Sequence, residues 1–199
     1  MEQGRGKNMA MNKWLSMRHF LTEQYKNNIY MGKQQYPICN TNIITHGLLE
    51  TLKNCTIFAS PLKRSVQTVE FILQTYESTN FKVKYLDGLA ERGLGDFEGK
   101  SKEPIRKNTE YFINEKFIVT KTPPNGESLL DFRNRVENAV KEIRIERCLQ
   151  DVLVVSHLQT LRMIRFCVSE SYDYDVWHNI NYLHGEVVQE VYGEEKQSY

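Results

Sequence analysis

Apolar and polar positions along this chain switch between a strand-like and a helix-like period. The longest uninterrupted apolar run, Val152 to Val155, lies inside residues 151–156. A short apolar run bounded by polar residues predicts a strand buried on both faces. Shorter segments predict strands at 13–19, 56–59 and 83–89, and 186–192 alternates as a late strand. Between them, helical spacing predicts helices at 42–53, from Pro61 to about Tyr76, at 127–148 with a charged outer face, and at 158–168. Pro61 suits the first turn of its helix, where its missing N–H has no helical partner anyway. Strand and helix in this order imply an α/β fold, a three-layer α/β/α sandwich with a mostly parallel central sheet. The polar stretches 1–12 and 194–199 read as tails around one domain over 13–193, with no internal repeat.

Composition narrows the picture. At 199 residues the chain needs no metal or disulfide staple to build a core. Lys plus Arg total 26 against 25 for Asp plus Glu, a net charge of +1, which argues against a dedicated nucleic-acid binder but leaves room for a local basic pocket. The short apolar runs speak against a membrane span and against a secretory signal. Cys39, Cys55, Cys148 and Cys167 form no C-x-x-C pair, and three of them read as small core residues. A cytoplasmic, reducing location is expected.

In a parallel sheet, ligands bind beyond the carboxyl ends of the strands. Those ends carry a biased set of residues: Arg18-His19, then Ser60-Pro61-Leu62-Lys63-Arg64, then Glu91-Arg92, then Ser156-His157. Each pair taken alone is ordinary surface or core. Their joint occurrence at four successive strand ends is not. Arginines stay charged, so they would repel a bound cation and attract an oxyanion, whose geometry a guanidinium fork matches. The set therefore predicts a phosphate pocket without a metal, in which a histidine could attack and Glu91 could donate a proton.

With those residues in place, the chain resembles the histidine phosphatase (phosphoglycerate mutase-like) superfamily from about Lys13 to Tyr192. Arg18-His19 resembles its R-H-G signature, and Ser60-Pro61-Leu62-Lys63-Arg64 through Thr68 resembles S-P-L-x-R-A-x-Q-T. Glu91 with Gly95 to Gly99, Pro124 to Ser128, and Val154-Val155-Ser156-His157 resemble three further blocks in the family's order. The resemblance implies that His19 becomes phosphohistidine. It implies that Arg18, Arg64 and His157 clamp the phosphoryl group, with Thr22 and Leu158 also in the phosphate site, and that Glu91 is the general acid and base. It implies no cofactor and a small-molecule phosphate ester as substrate.

The form G-x-x-E-G and the short 99–124 segment resemble the phosphatase branch more than the mutases. Mutase-type transfer and a non-catalytic phospholigand binder remain the alternatives. Phe20, Tyr25, Leu158 and Gln159 depart from the family's usual Gly, Asn and small residues, which predicts altered pocket walls; Asn27 or Asn28 could take over from the missing Asn. The 99–124 segment is a lid-like insertion carrying six cations. It reads as a solvated loop first and as a basic lid for a second anionic group of the substrate next. Tyr111, Phe112 and Phe117 would anchor it to the domain. No nucleic-acid or membrane partner is expected, and apolar helix faces leave room for a homodimer.

Overall fold

Alternate residues of the central strands face opposite layers, and both faces are covered. The computed structural model describes residues 12–40, 47–52, 54–76 and 80–191. In chain order the elements are β1 (Trp14–Arg18), α1 (Glu23–Lys26), α2 (Gly47–Glu50), β2 (Asn54–Ala59), α3 (Lys63–Thr75) and β3 (Asn80–Tyr85). They continue with α4 (Lys102–Arg106), β4 (Phe112–Ile113), β5 (Lys116–Phe117), α5 (Leu129–Arg147), β6 (Asp151–Ser156), α6 (Leu158–Ser169) and β7 (Val187–Gln189). The five-stranded sheet has the order β3-β2-β6-β1-β7. All neighbours pair in parallel except β7, which runs antiparallel to β1.

Trp14, Phe58, Val152 and Val154 pack with Phe132, Val136 and Val140 of α5 and Leu161 and Ile164 of α6. Leu15, Met17, Ile57, Leu153 and Val155 turn the other way, against Val69 and Ile72 of α3 and Leu49 of α2. This two-residue alternation over two helical layers makes the expected α/β/α sandwich. Each fully buried aliphatic or aromatic side chain contributes about 1.5–3 kcal/mol. Among the described residues, no helix is long and apolar enough to cross a membrane.

The structure corrects several expected boundaries. The third strand is Asn80–Tyr85, not 83–89, and Asp87–Leu89 is a 3₁₀ turn. β3 lies at the sheet edge and is largely exposed, so it carries no apolar run to mark it. The turn brings the following segment back over the strand ends. Of the helix expected at 42–53, Gly47–Glu50 is seen; 41–46 and 53 lie outside the described residues. Pro61 precedes its helix rather than opening it: α3 begins at Lys63 with Leu62 as cap, and the Ser60 hydroxyl takes the Leu62 N–H at 3.2 Å. Cys55 and Cys167 are buried, but Cys39 and Cys148 are exposed, so two cysteines and not three sit in the core.

The 99–124 segment folds into α4 and the β4–β5 hairpin. Asn114 and Glu115 form its two-residue turn, both at positive φ, the requirement of a type I′ hairpin. Phe112 forms a small core with Leu94 and Phe97, and Tyr111 and Phe117 pack against it. These rings anchor the segment to the domain, as expected.

Candidate active site

Three strand ends deliver three side chains to one place. His19 N–H bonds Ser156 O and Ser60 N–H bonds Val155 O, each at 3.0 Å. The ladder is thereby carried one residue past the strands, and His19, Ser60 and His157 are set side by side. The rings of His19 and His157 lie 5.1 Å apart. On the neighbouring α3, Arg64 is buried with 1% of its surface exposed.

Hydrogen bonds define the protonation of both rings. His19 Nδ1 lies 2.6 Å from Phe20 O, a carbonyl that can only accept, so Nδ1 carries the proton. That leaves Nε2 unprotonated, accepting the Arg64 Nε–H at 3.2 Å. The same N–H is shared with His157 Nδ1 at 3.1 Å, so His157 donates from Nε2 to Ser60 Oγ at 2.7 Å. Arg64 is aimed by its two other nitrogens, which donate to Gln34 O and Gly32 O at 2.8 Å each.

Burial is the main cause that holds both rings well below the usual histidine pKa, with Arg64 and Arg18 adding to it. A third ring, His184, stands 5.3 Å from His19 and is pulled down to about 3, by burial and then by Arg18, Lys102 and Arg64. Burial also lowers Arg64 to about 10, which leaves it charged at neutral pH. Buried neutral histidines make the fold acid-sensitive. Their folded-state pKa values lie below the ordinary 6.5, so below that pH the unfolded chain binds more protons and stability falls as pH falls. Thermal melting at about pH 5 should lie clearly below that at about pH 7; equal melting temperatures would contradict the buried neutral rings.

His19, Arg18, Arg64 and Glu91 line one cavity of about 630 Å³, together with Leu158 and Gln159 at the start of α6. Arg18 has a buried Nε without a hydrogen-bond partner among the described residues, a donor that an anion would satisfy. The Glu91 carboxylate accepts from Arg92 N–H at 3.0 Å and Gln159 N–H at 3.4 Å, with Thr160 Oγ1 3.3 Å away. It thus faces the cavity already oriented.

Two expected site residues lie off the cavity wall. Thr22 is fully buried; its hydroxyl caps α1 through Tyr25 N–H and contacts Met31 Sδ at 3.1 Å, so it shapes the wall indirectly. His157 is fully buried behind Arg64 and His19. Phe20 does not alter the wall either. Its ring packs in the core edge-on to Phe71 at 5.3 Å, and its φ is not positive, so no glycine is needed there. Tyr25 does form the wall: its ring centroid lies 5.0 Å from the Arg18 guanidinium and 4.9 Å from the Lys102 ammonium. Asn28 also reaches the cavity, whereas Asn27 does not line it.

Half of the lysines and arginines of the 99–124 segment reach the cavity: Lys102, Arg106 and Lys116. Sequence reading missed Arg162, Trp177 and His178, which line the same space. Arg162 lies one helical turn after Leu158, and that spacing could have placed it. Nothing in the sequence marks the 3₁₀ turn Tyr174–Asn179 that supplies Trp177 and His178.

The histidine phosphatase superfamily (branch 1) profile matches residues 16–198. The chain belongs to this superfamily. A phosphoglycerate mutase of Schizosaccharomyces pombe is 30% identical over 165 residues, covering 78% of each chain. Among superfamily folds, a Mycobacterium tuberculosis open-reading-frame product superposes with a TM-score of 0.73 at 18% identity, over 92% of this chain and 98% of that one. A mycobacterial glucosyl-3-phosphoglycerate phosphatase gives 0.68 at 16% identity, over 89% of both. Phosphatases and mutases thus both stand among the proteins that this chain resembles.

Proposed function

We propose that the chain hydrolyses phosphate monoesters through a phosphohistidine on His19. The observation that carries this reading is the tautomer of His19: Nδ1 is tied to Phe20 O, and Nε2 faces the Arg64 N–H inside an anion-attracting cavity. In the first step Nε2 bonds to phosphorus, the ester P–O bond breaks, and the Glu91 carboxyl gives its proton to the leaving oxygen. In the second step the Glu91 carboxylate takes a proton from water. The water oxygen bonds to phosphorus, the N–P bond breaks, and inorganic phosphate leaves. Arg18 and Arg64 offset the negative charge of the transferring group, the main task in such chemistry. A cavity of this size suits a small-molecule ester.

Mutase-type transfer is the second reading, favoured by the S. pombe relative. Equal coverage of both chains means that this mutase is of comparable length, so a short 99–124 segment does not by itself separate the two activities.

The test is phosphate release from p-nitrophenyl phosphate with a chelator present, run beside isomerisation of 3-phosphoglycerate primed with the bisphosphate. Steady phosphate release supports hydrolysis; isomerisation without release selects the mutase. Glu91→Gln should lower kcat/KM, which reads the first step alone, by about 10²–10⁴ for esters of poor leaving groups and far less for activated aryl esters. Equal slowing of both would remove Glu91 from the acid role.

A further inference from the structure

Glu91 must hold its position although it sits in irregular backbone between the Asp87–Leu89 and Gly95–Phe97 turns. No sheet ladder or helix satisfies the carbonyls around it. A group that donates a proton needs placement within hydrogen-bond reach, and an error of about 1 Å can cost 10²-fold. The structure supplies that placement from outside the cavity.

Arg135, in the middle of α5, spends all its N–H donors on this segment and its anchor. Nη1 donates to Gly88 O at 2.9 Å and Ala90 O at 2.8 Å. Nη2 donates to Glu91 O at 3.0 Å and to Glu127 Oε2 at 2.9 Å, and Nε donates to Glu127 Oε1 at 2.6 Å. A guanidinium has five N–H donors, and these five bonds use them. Glu127 in turn accepts the Gly93 N–H at 2.9 Å, so the pair grips the backbone on both sides of Glu91. The fit depends on close approach: a Cβ on Gly88 would lie 2.6 Å from Arg135 O. Burial works against charge on Glu127, yet Arg135 and the Gly93 N–H hold its pKa below the usual carboxylate value. Arg135 does not line the cavity.

We infer that Arg135 and Glu127 form one positioning unit for the general acid Glu91, setting how well the enzyme expels poor leaving groups. The inference rests on the acid role given to Glu91 above. From the opposite side, α6 grips the same segment: the Thr160 hydroxyl donates to Ala90 O at 2.8 Å and the Gln159 N–H to the Glu91 carboxylate at 3.4 Å. Loss of Arg135 therefore frees the Gly88 and Glu91 carbonyls while Ala90 and the carboxylate stay tethered to α6. The expected result is a misplaced acid in a folded protein.

The experiment compares Arg135→Lys and Glu127→Gln, each in the wild-type and Glu91→Gln backgrounds, on p-nitrophenyl phosphate and on glycerol 2-phosphate. Lysine keeps the charge but has no fork, and glutamine keeps the shape but not the charge. In the wild-type background, kcat/KM for glycerol 2-phosphate, which reads the step that expels the leaving group, should fall about 10- to 100-fold, part of what an acid supplies. For p-nitrophenyl phosphate kcat/KM should be much less affected. In the Glu91→Gln background neither substitution should cost anything further, because the group they position is gone. Equal losses on both esters, or losses that add to that of Glu91→Gln, would overturn the inference and mark the pair as structural. If Glu91→Gln alone lowers kcat/KM of both esters equally, the acid role fails first and the inference falls with it. Should Arg135→Lys not fold, Glu127→Gln gives the same readouts.

Discussion

Alanine at position 19 should abolish turnover and leave a folded protein. The loss is expected to be on the order of 10⁴- to 10⁶-fold, as for removal of a covalent nucleophile. No neighbouring ring can replace it. His157 is fully buried and shares the Arg64 N–H, and its remaining nitrogen is bonded to Ser60. His184 lies beyond His19, 5.3 Å away ring to ring. The fold should survive because His19 makes one side-chain bond to the backbone, to Phe20 O, and losing one such bond costs about 1–3 kcal/mol. The check is phosphate release together with circular dichroism and an alkaline quench, which preserves phosphohistidine. Wild-type protein should carry label from ³²P-substrate and the variant none; retained activity in the variant would remove His19 from the mechanism.

Lysine at position 64 should be nearly as damaging, although charge is conserved. Arg64 does three things at once: it donates to Gln34 O, to Gly32 O and, through Nε, to both histidine rings. A lysine ammonium is a point donor and cannot span these directions. One carbonyl would lose its partner, and the charge would no longer sit beside His19 Nε2. Removing one donor to a developing oxyanion costs about 10²–10³ in kcat, and that is the expected loss. Vanadate or inorganic phosphate should also bind more weakly. A variant with near-normal kcat would show that Arg64 braces the 32–34 loop without touching the phosphoryl group.

Much of this site was legible in the sequence because it sits at strand ends. The strand expected over 151–156 from the run at 152–155 matched the central β6 in full, and polar residues directly after such strands must emerge on one rim. Arg18, His19, Arg64 and Glu91 could therefore be grouped before any distance was known. The anion preference of the pocket followed from charge alone. The resemblance added the order of steps, which residue spacing does not contain.

Other features depended on contacts distant in sequence. Phe20 looked like a pocket residue because of its neighbour in the chain; its side chain instead fills the core between β1 and α3. Thr22 became a helix cap and His157 a buried partner of Arg64. Trp177 and His178 reached the cavity through a turn that carries no periodic signal. The Arg135 clamp joins residues 44 to 47 positions apart.

Residue order was enough to set the layers of the fold and the chemical character of the rim. Burial patterns and fixed charges are local properties of residue order, and they survive any rearrangement of loops. Tertiary structure alone decided which nitrogen of His19 is left unprotonated, which cations line the cavity and what holds Glu91 in place. Those outcomes depend on hydrogen-bond distances within a few tenths of an ångström, between groups that only the packed sheet and helices bring together.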